Sequence, residues 1–459
     1  MKGISMNNIL IIAYYYPPKG GAGVQRTSKF ANYLSKLGYN VSVLTVREDE
    51  KGLVDKSLKD DVSSDIKVYR TSIKSVNVID KINRMVNKKG SSKATNKENT
   101  GSDKLKLIGI KQKIISKFRR IAKNVFLSIY NLIYIPDDKK GWIHSAVEEG
   151  KKIIKSDKID VIFTTSGPYT SHIIGYKLAK NIDIKWIADF RDPWVDNPFV
   201  HNSFIVNLIY KNLEKKVVKR SDKVLSVSKP IIADFMKRYK NEDKSKFKII
   251  TNGYDEEDFK NLKLNPENKD GRFKILYNGT LYGKRSPEKV LKAIDNLIKS
   301  DKVNRDMIKI KFLGQIGNEH SNIVEYFKFK YPEVIEHENY VPHKESLKEL
   351  CSADALLLII EDGKGSNGIY TGKIFEYIRT GKPILGMVPD GVAKDLILNT
   401  KTGYIAHPMK YEEIEKMILD CYLNFINKDN SLDSNWEEIE KYSRENLTKK
   451  LIKIINEIQ

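Results

Sequence analysis

Residues 367–383 read NGIYTGKIFEYIRTGKP, and how this stretch folds decides how the rest of the chain is read. A loop with Gly363, Gly365 and Gly368 leaves the apolar run Ala353–Ile360 and leads into a short helical segment carrying Phe375, Glu376 and Tyr377. A glycine just past a helix end and a proline soon after are stop signals, so Gly381-Lys382-Pro383 predicts where the helix ends. A second apolar run, Ile384–Val388, follows. The order strand, glycine loop, helix, strand presents free backbone N–H groups and a positive dipole end to a phosphate. Glu376 falls one turn inside, where a carboxylate can accept hydrogen bonds from the vicinal hydroxyls of a ribose. An ordinary βαβ connection with a surface Glu has the same local pattern, so the remainder of the chain must decide.

The chain has 459 residues, 40% of them apolar, enough for two or three compact domains. Cys351 and Cys421 are its two cysteines; they cannot build a disulfide framework and stand in no metal-type cluster. The start, MKGISMNNILIIAYYYPP, has no small-residue cleavage site and reads as a first strand. The longest nearly apolar run, Val125–Ile135, is too short to span a bilayer, so a soluble or peripheral protein in a reducing compartment is expected. The net charge of +22 fits nucleic acid, an anionic membrane or a polyphosphate ligand. Zinc-finger spacing, a basic zipper and an RNP-like strand are all missing from the sequence, so nucleic acid is not expected as a partner.

In order along the chain, Asn8–Tyr14 reads as a buried strand. YYPPKGGAGVQR, with Gly20, Gly21 and Gly23, leads into a helix ending at Leu37, and Val41–Val46 is the next strand. This loop is not the GxGxxG dinucleotide fingerprint, but its glycines let the backbone come close to a ligand. Residues 88–104 hold no large apolar side chain and read as a flexible loop. From Lys104 to Ile135 acidic residues are lacking, eight are basic, and apolar residues recur every three to four positions. That is a basic amphipathic helix, suited to an anionic membrane surface or to core packing with a solvated basic face. VIFTTSGPYTSH ends at His172, and KWIADFRDPW carries Asp189, Arg191 and Asp192 at a strand end, where open α/β sheets bind ligands.

Phe259–Arg272 is polar and reads as a linker, after which the α/β rhythm restarts. Strands are expected at Phe273–Asn278, Ile308–Leu313, Asn339–Val341, Ala355–Ile360, Ile384–Val388 and Tyr404–Ala406, with a helix over Glu288–Ile298 and a final helix within Trp436–Ile458. The expected fold class is α/β, with two doubly wound Rossmann-like domains facing a central cleft. The expected divisions are 1–265, 266–435 and a C-terminal helix, 436–459, packing back on the first domain.

Four separated stretches, YYPPKGGAGVQR, ADFRDPW, NGT followed by GKRSPE, and GKIFEYIRTGKPIL, resemble glycosyltransferase family 4, whose members are retaining enzymes of the GT-B fold. The likeness runs through both halves in the family's order. It is nearest to bacterial members that build capsule, exopolysaccharide or O-antigen (lipopolysaccharide) units on a lipid carrier; SGPYTSH and IPDDKKGW also resemble that subgroup. The resemblance implies a nucleotide-sugar donor and places Gly20 and Gly21 where the first glycine loop approaches donor phosphates and acceptor. It places Gly279 and Thr280 in the first loop of the donor domain, and Lys284 and Arg285 near the basic pair that neutralises the leaving nucleoside diphosphate. Tyr370, Thr371, Gly372 and Lys373 match the segment that holds the phosphates, and Glu376 matches the second glutamate of a paired-glutamate motif. The first glutamate of that motif falls at Gly368, and the arginine usual after the first-loop glycine is Thr280. Asp192, with Asp189, Arg191 and His172 beside it, falls near the loop that meets the acceptor.

Sugar transfer from a nucleoside diphosphate builds negative charge on the leaving group, so preorganised cations are the main lever. Lys284 and Arg285 suit that role, although a solvated basic turn has the same composition. A D-x-D tripeptide does not occur in the sequence, so no metal or other cofactor is expected, and the paired cations would do its work. Asp192 can orient an acceptor hydroxyl or cap the turn before Pro193. The expectation is a glycosyltransferase of the hexosyl or N-acetylhexosaminyl class, using a UDP- or GDP-sugar and a lipid-linked saccharide acceptor. It would be cytoplasmic and peripheral on the inner face of the plasma membrane. Two alternatives remain at this point: a nucleotide-sugar epimerase of the same fold, and a non-catalytic protein that binds a membrane surface.

Overall fold

The computed structural model of the protein describes residues 7–20, 22–48, 54–55, 58, 61–73, 132–197, 202–264, 266, 268, 270–429 and 432–458. The expected flexible loop 88–104 and the basic stretch 104–131 lie outside the described residues, as does Gly21. Thirteen parallel-sheet strands are described. They are β1 Asn8–Ile12, β2 Asn40–Val46, β3 Lys67–Thr71, β4 Val161–Thr165, β5 Lys185–Phe190, β6 Lys223–Ser226 and β7 Phe247–Ile249, then β8 Phe273–Asn278, β9 Ile308–Leu313, β10 Ile335–Glu338, β11 Ala355–Ile359, β12 Ile384–Met387 and β13 Gly403–Ala406. The first sheet has the order β3-β2-β1-β4-β5-β6-β7, the second β10-β9-β8-β11-β12-β13. In both, the order reverses beside the first strand of the sheet, the switch point at which open α/β sheets bind ligands.

The chain divides into two compact units, Met6–Ala31 with Gly38–Val224, and Leu225–Gln459 with Met1–Ser5 and Asn32–Leu37. In the first unit the helices are α1 Ala22–Lys36, which is shared with the second, α2 Ile143–Ser156, α3 Thr170–Asn181 and α4 Phe204–Arg220. In the second they are α5 Lys229–Arg238, α6 Glu256–Phe259, α7 Glu288–Lys299, α8 Asn318–Lys330, α9 His343–Ser352, α10 Gly372–Thr380, α11 Val392–Thr400, α12 Tyr411–Ile426, α13 Trp436–Glu440 and α14 Arg444–Asn456.

The six-stranded sheet shows why its inner strands β11 and β12 are apolar throughout. Phe273, Ile275, Ile310, Leu357 and Leu385 point to one face, against Leu291 and Ile294 of α7 and Ile414 and Ile418 of α12. Leu276, Leu356, Leu358 and Ile384 point to the other, against Leu350, Phe375, Ile378 and Leu396 from α9, α10 and α11. Period-two alternation between two covered faces reads in sequence as a continuous apolar run. Each large side chain so buried contributes about 1.5–3 kcal/mol.

Two expectations change. The strand placed at Asn339–Val341 lies earlier, at β10, an edge strand reading Ile-Glu-His-Glu. Its carboxylates Glu336 and Glu338 pair with Lys309 and Lys311 on the neighbouring strand, so it needs few apolar residues and carries little hydrophobic signal. The expected final helix is two, α13 and α14, with Ser443 between them capping the second through the Asn446 N–H.

Candidate functional site

In the second unit, the stretch that opened the sequence reading folds as its punctuation predicts. β11 runs into a loop through Gly363 and Gly365, α10 begins at Gly372, and Gly381 ends it with φ 68°. That left-handed conformation is where a residue with a Cβ is strained, which is why the stop falls on glycine. Tyr370 and Thr371 form the approach to the helix, Thr371 being its N-cap. The Thr371 Oγ1 makes no cap bond and is buried without a hydrogen-bond partner among the described residues. Gly372 is exposed, and a Cβ there would meet nothing within 4 Å, so the helix N-terminus is open on that side.

Lys373, the second residue of α10, turns its ammonium away from solvent. The Nζ lies 4.9 Å above the Tyr277 ring and against Gly279, where a Cβ would collide with it. Gly279 has φ 129°, a conformation other residues rarely adopt, and this bare backbone makes the space. Burial pulls the Lys373 pKa down to about 7; the Arg285 charge adds to the pull, and Glu376 opposes it. Arg285 is itself largely covered, at 13% side-chain exposure, with Nε 3.6 Å from Glu361 Oε2 and its guanidinium 5.1 Å from the Tyr282 ring centroid. That separation is too long for a hydrogen bond, and both atoms are buried without one. Arg285 thus has a loosely held carboxylate beside it in Glu361, and the carboxylate that acts on Lys373 is Glu376.

Lys284, beside Arg285 in sequence, is exposed, and its side chain has no hydrogen-bond or ion-pair partner among the described residues. The loop that carries both is pinned further back. The Gly279 N–H donates to the Leu313 carbonyl at 2.6 Å, the Leu281 N–H to the Gln315 carbonyl at 2.9 Å, and the Gly283 N–H to Glu319 Oε1 at 2.5 Å. Thr280 is exposed, and its carbonyl accepts from the Tyr277 hydroxyl at 3.1 Å. Glu376 is half-buried one turn along α10, with Oε1 2.9 Å from His343 Nε2 on α9. Of the expected donor-side residues, Gly279, Arg285, Lys373 and Glu376 come together, and Lys284 stands apart. Tyr277, Glu361 and His343 complete the group. Glu361 follows an apolar strand directly, and that position could have singled it out in the sequence.

In the first unit the expected acceptor-side residues separate by burial. Asp189, at the end of β5, is 0% exposed. Its Oδ2 accepts from Arg26 Nε at 2.9 Å and from Thr165 Oγ1 at 2.8 Å, its Oδ1 from Arg26 Nη2 at 2.8 Å. This bidentate pair ties the start of α1 to the strand end. Arg191 donates to the carbonyls of Ser166 (2.5 Å), Gly23 (2.8 Å) and Gly167 (3.1 Å), holding the first turn of α1 against the loop that precedes α3. His172 is fully buried, with Nδ1 2.8 Å from Thr164 Oγ1 and its ring 4.2 Å from that of Phe190; burial lowers its pKa to about 3. It is a neutral core side chain with no surface to offer a ligand. Asp192 alone of the four is exposed. Gly20 is half-buried at the loop before α1.

Two further stretches meet in this unit. Asp137, from IPDDKKGW, accepts from the Thr170 N–H at 2.8 Å and the Thr170 hydroxyl at 2.6 Å, capping α3 at the SGPYTSH segment. Among the described residues, no three His, Cys, Asp or Glu side chains converge as a metal site requires. No described helix is long and apolar enough to cross a membrane.

Neither a protein-family model nor a curated protein matches this sequence. Solved structures do match in fold. The sucrose-phosphate synthase of Thermosynechococcus elongatus superposes with a TM-score of 0.61 at 12% identity, over 98% of this chain and 99% of that one. HepE of Anabaena, solved in complex with UDP, gives 0.61 at 10% identity, over 98% and 100%. The UDP-GlcNAc 2-epimerase of Methanocaldococcus jannaschii gives 0.55 at 11% identity, over 98% and 99%. The α/β architecture, with parallel sheets of seven and six strands flanked by helices, is the GT-B fold.

Proposed function

We propose that the protein is a retaining glycosyltransferase of family 4, moving a hexosyl or N-acetylhexosaminyl group from a UDP- or GDP-sugar to a lipid-linked saccharide in capsule, exopolysaccharide or O-antigen synthesis. The observation that carries this reading is the pair Arg285 and Lys373 beside Gly279, just ahead of α10 and Glu376. A diphosphate bound there would meet two largely desolvated cations and the open N-terminus of a helix, the surroundings that stabilise a departing nucleoside diphosphate. The Thr371 hydroxyl and the Tyr370–Gly372 backbone would hold phosphate oxygens, with Gly20, Gly21, Thr280 and Lys284 as the remaining donor-side residues. Glu376 would accept from the ribose hydroxyls once His343 yields or shares it.

In this reading the bond from the anomeric carbon to the diphosphate breaks while a bond to the acceptor oxygen forms on the same face. The acceptor proton passes to an oxygen of the leaving phosphate. Asp192, exposed beside the Arg191 clamp, would orient the acceptor hydroxyl, with Asp189, Arg191 and Arg26 holding its loop. Residues 1–265 would serve the acceptor and 266–435 the donor, with 436–459 a helical closure. The charge neutralisation falls to side chains, so transfer would need no metal. The protein would act as a peripheral protein at the inner face of the plasma membrane, with the stretch 104–135 as one contact.

A thermal-shift panel with UDP-, GDP- and dTDP-sugars, with and without magnesium, tests the donor half. A metal-independent rise with one of them is expected, since a ligand that binds only the folded state raises its stability. Silence across the panel would overturn the reading. An epimerase is the second reading, favoured by the M. jannaschii enzyme of the same fold. It predicts conversion of the sugar nucleotide with no acceptor present, which product analysis resolves. Gly368 in place of a glutamate keeps a binding-only version in view; it predicts vesicle binding with no donor shift.

A further inference from the structure

Helix α4, Phe204–Arg220, has an outward face that the fold does not account for. In its first turns Phe204 is 76% exposed, Ile205 58% and Leu208 50%. Further along, Lys211, Lys215, Lys216 and Lys219 are exposed. At 3.6 residues per turn, these seven positions fall within an arc of about 140°. Val206, Glu214, Val217 and Val218 are buried and all lie outside that arc. Glu214 is the helix's single carboxylate, and it turns inward to accept the Val195 N–H at 3.1 Å. The outward arc therefore holds three large apolar groups and four positive charges with no acid among them.

An apolar cluster left in water beside a row of lysines has the chemistry of a surface that enters the boundary layer of a bilayer. The lysine row complements phosphate headgroups, and the apolar end has somewhere to go only beneath them. A second copy of the chain would bring its own +22 charge and the same lysines. We propose that the outward face of α4 docks on an anionic lipid surface, with Phe204, Ile205 and Leu208 inserted at the headgroup boundary and the lysines lying along it. This rests on the membrane part of the reading above and not on its donor part, and it names a contact separate from the 104–135 stretch.

The test uses the full chain and flotation with vesicles of pure phosphatidylcholine or with about 30% phosphatidylglycerol added, an anionic fraction that the lysine row needs. Two variants are compared with the wild type: Phe204→Ser with Ile205→Ser and Leu208→Ser, and Lys211→Gln with Lys215→Gln and Lys219→Gln. The wild type is expected to float with the anionic vesicles alone. Each triple variant should lose at least about fivefold in bound fraction, and the glutamine variant should also lose most of its salt sensitivity. The glutamine variant changes only side chains at exposed positions, so a folding defect in the serine variant would not leave the outcome open. Wild-type flotation retained by both variants overturns the proposal, and so does a wild type that stays with the protein-only fraction. A wild-type dimer that the serine variant turns into a monomer, read by light scattering, would also overturn it and make the face a protein interface. Donor-induced thermal shift is measured on the same samples. Vesicle binding without any donor shift would sink the donor reading and leave this one standing.

Discussion

The Lys373 ammonium occupies the space beside Gly279 that a Cβ would fill, and it lies 4.9 Å above the Tyr277 ring. The contact joins the first turn of α10 to the end of β8, two elements far apart in sequence, and it sets a cation where Arg285 already supplies one. Arrangements that place like charges together in partial burial cost stability, and they persist where an anion is meant to arrive.

Lys373→Met and Arg285→Met are therefore expected to lower sugar transfer or donor consumption by about a hundredfold each, the usual cost of removing one preorganised stabiliser of developing charge. Lys284→Ala, a change at an exposed side chain, should cost less than about threefold on the same scale. Steady-state rates with saturating donor decide it. Equal losses at Lys284 and Lys373 would return the neutralising role to the neighbour of Arg285.

The pH dependence follows from the same contact. A lysine in water releases its proton near 10.4, whereas Lys373 in the folded chain does so at about 7. Between those values the unfolded chain holds a proton that the folded chain has lost, so the Lys373 contribution makes folding more favourable as pH rises from about 7 to about 10. A bound diphosphate favours the charged form, so binding above pH 7 should take up a proton, and affinity should fall as pH rises. Calorimetry in buffers of different ionisation enthalpy measures that uptake. Lys373→Met should abolish it, and an unchanged uptake in the variant would assign the proton elsewhere.

The Arg26–Asp189 pair gives a prediction of the opposite kind. Removing one partner of a buried ion pair strands the other, at a cost of about 3–5 kcal/mol. Asp189→Asn or Arg26→Met should therefore lower stability in urea by that order. The donor-induced thermal shift should persist in whatever protein remains folded. A fully stable Asp189→Asn protein with impaired transfer would make Asp189 an acceptor contact after all.

Glu376 and His343 can be told apart by affinity. Glu376→Ala removes the carboxylate meant for the ribose and should weaken donor binding by roughly tenfold or more, the worth of hydrogen bonds to a charged group. His343→Ala removes only its present partner and should leave affinity unchanged or improved. Isothermal titration with the donor found in the panel separates the two.

Much of the fold was legible because its signals are local. The glycines bounding α10, the apolar strands β8, β9, β11 and β12, and the glycine loop before α1 all declare themselves within a dozen residues. Two of the four edge strands, β3 and β10, were missed or misplaced, since a strand half in water carries no apolar run. At the site, residue types were readable and side-chain directions were not. Lys284 and Lys373 are both lysines next to a phosphate-type loop, and only three-dimensional packing turns one inward. Asp189 and His172 sit at strand and helix ends that invite a ligand. Arg26, 163 positions away from Asp189, and the Phe190 ring against His172 are contacts that spacing does not announce.

The Glu336 and Glu338 pairs with Lys309 and Lys311 also bear on how the chain behaves in a crowd. β10 closes one side of the second sheet, and its free N–H and C=O groups are the natural template for a foreign strand. Any such intruder would have to lie along alternating fixed charges and give up their hydration to gain a few backbone bonds. The ladder that hid the strand from sequence reading thus acts as a fence against unwanted assembly.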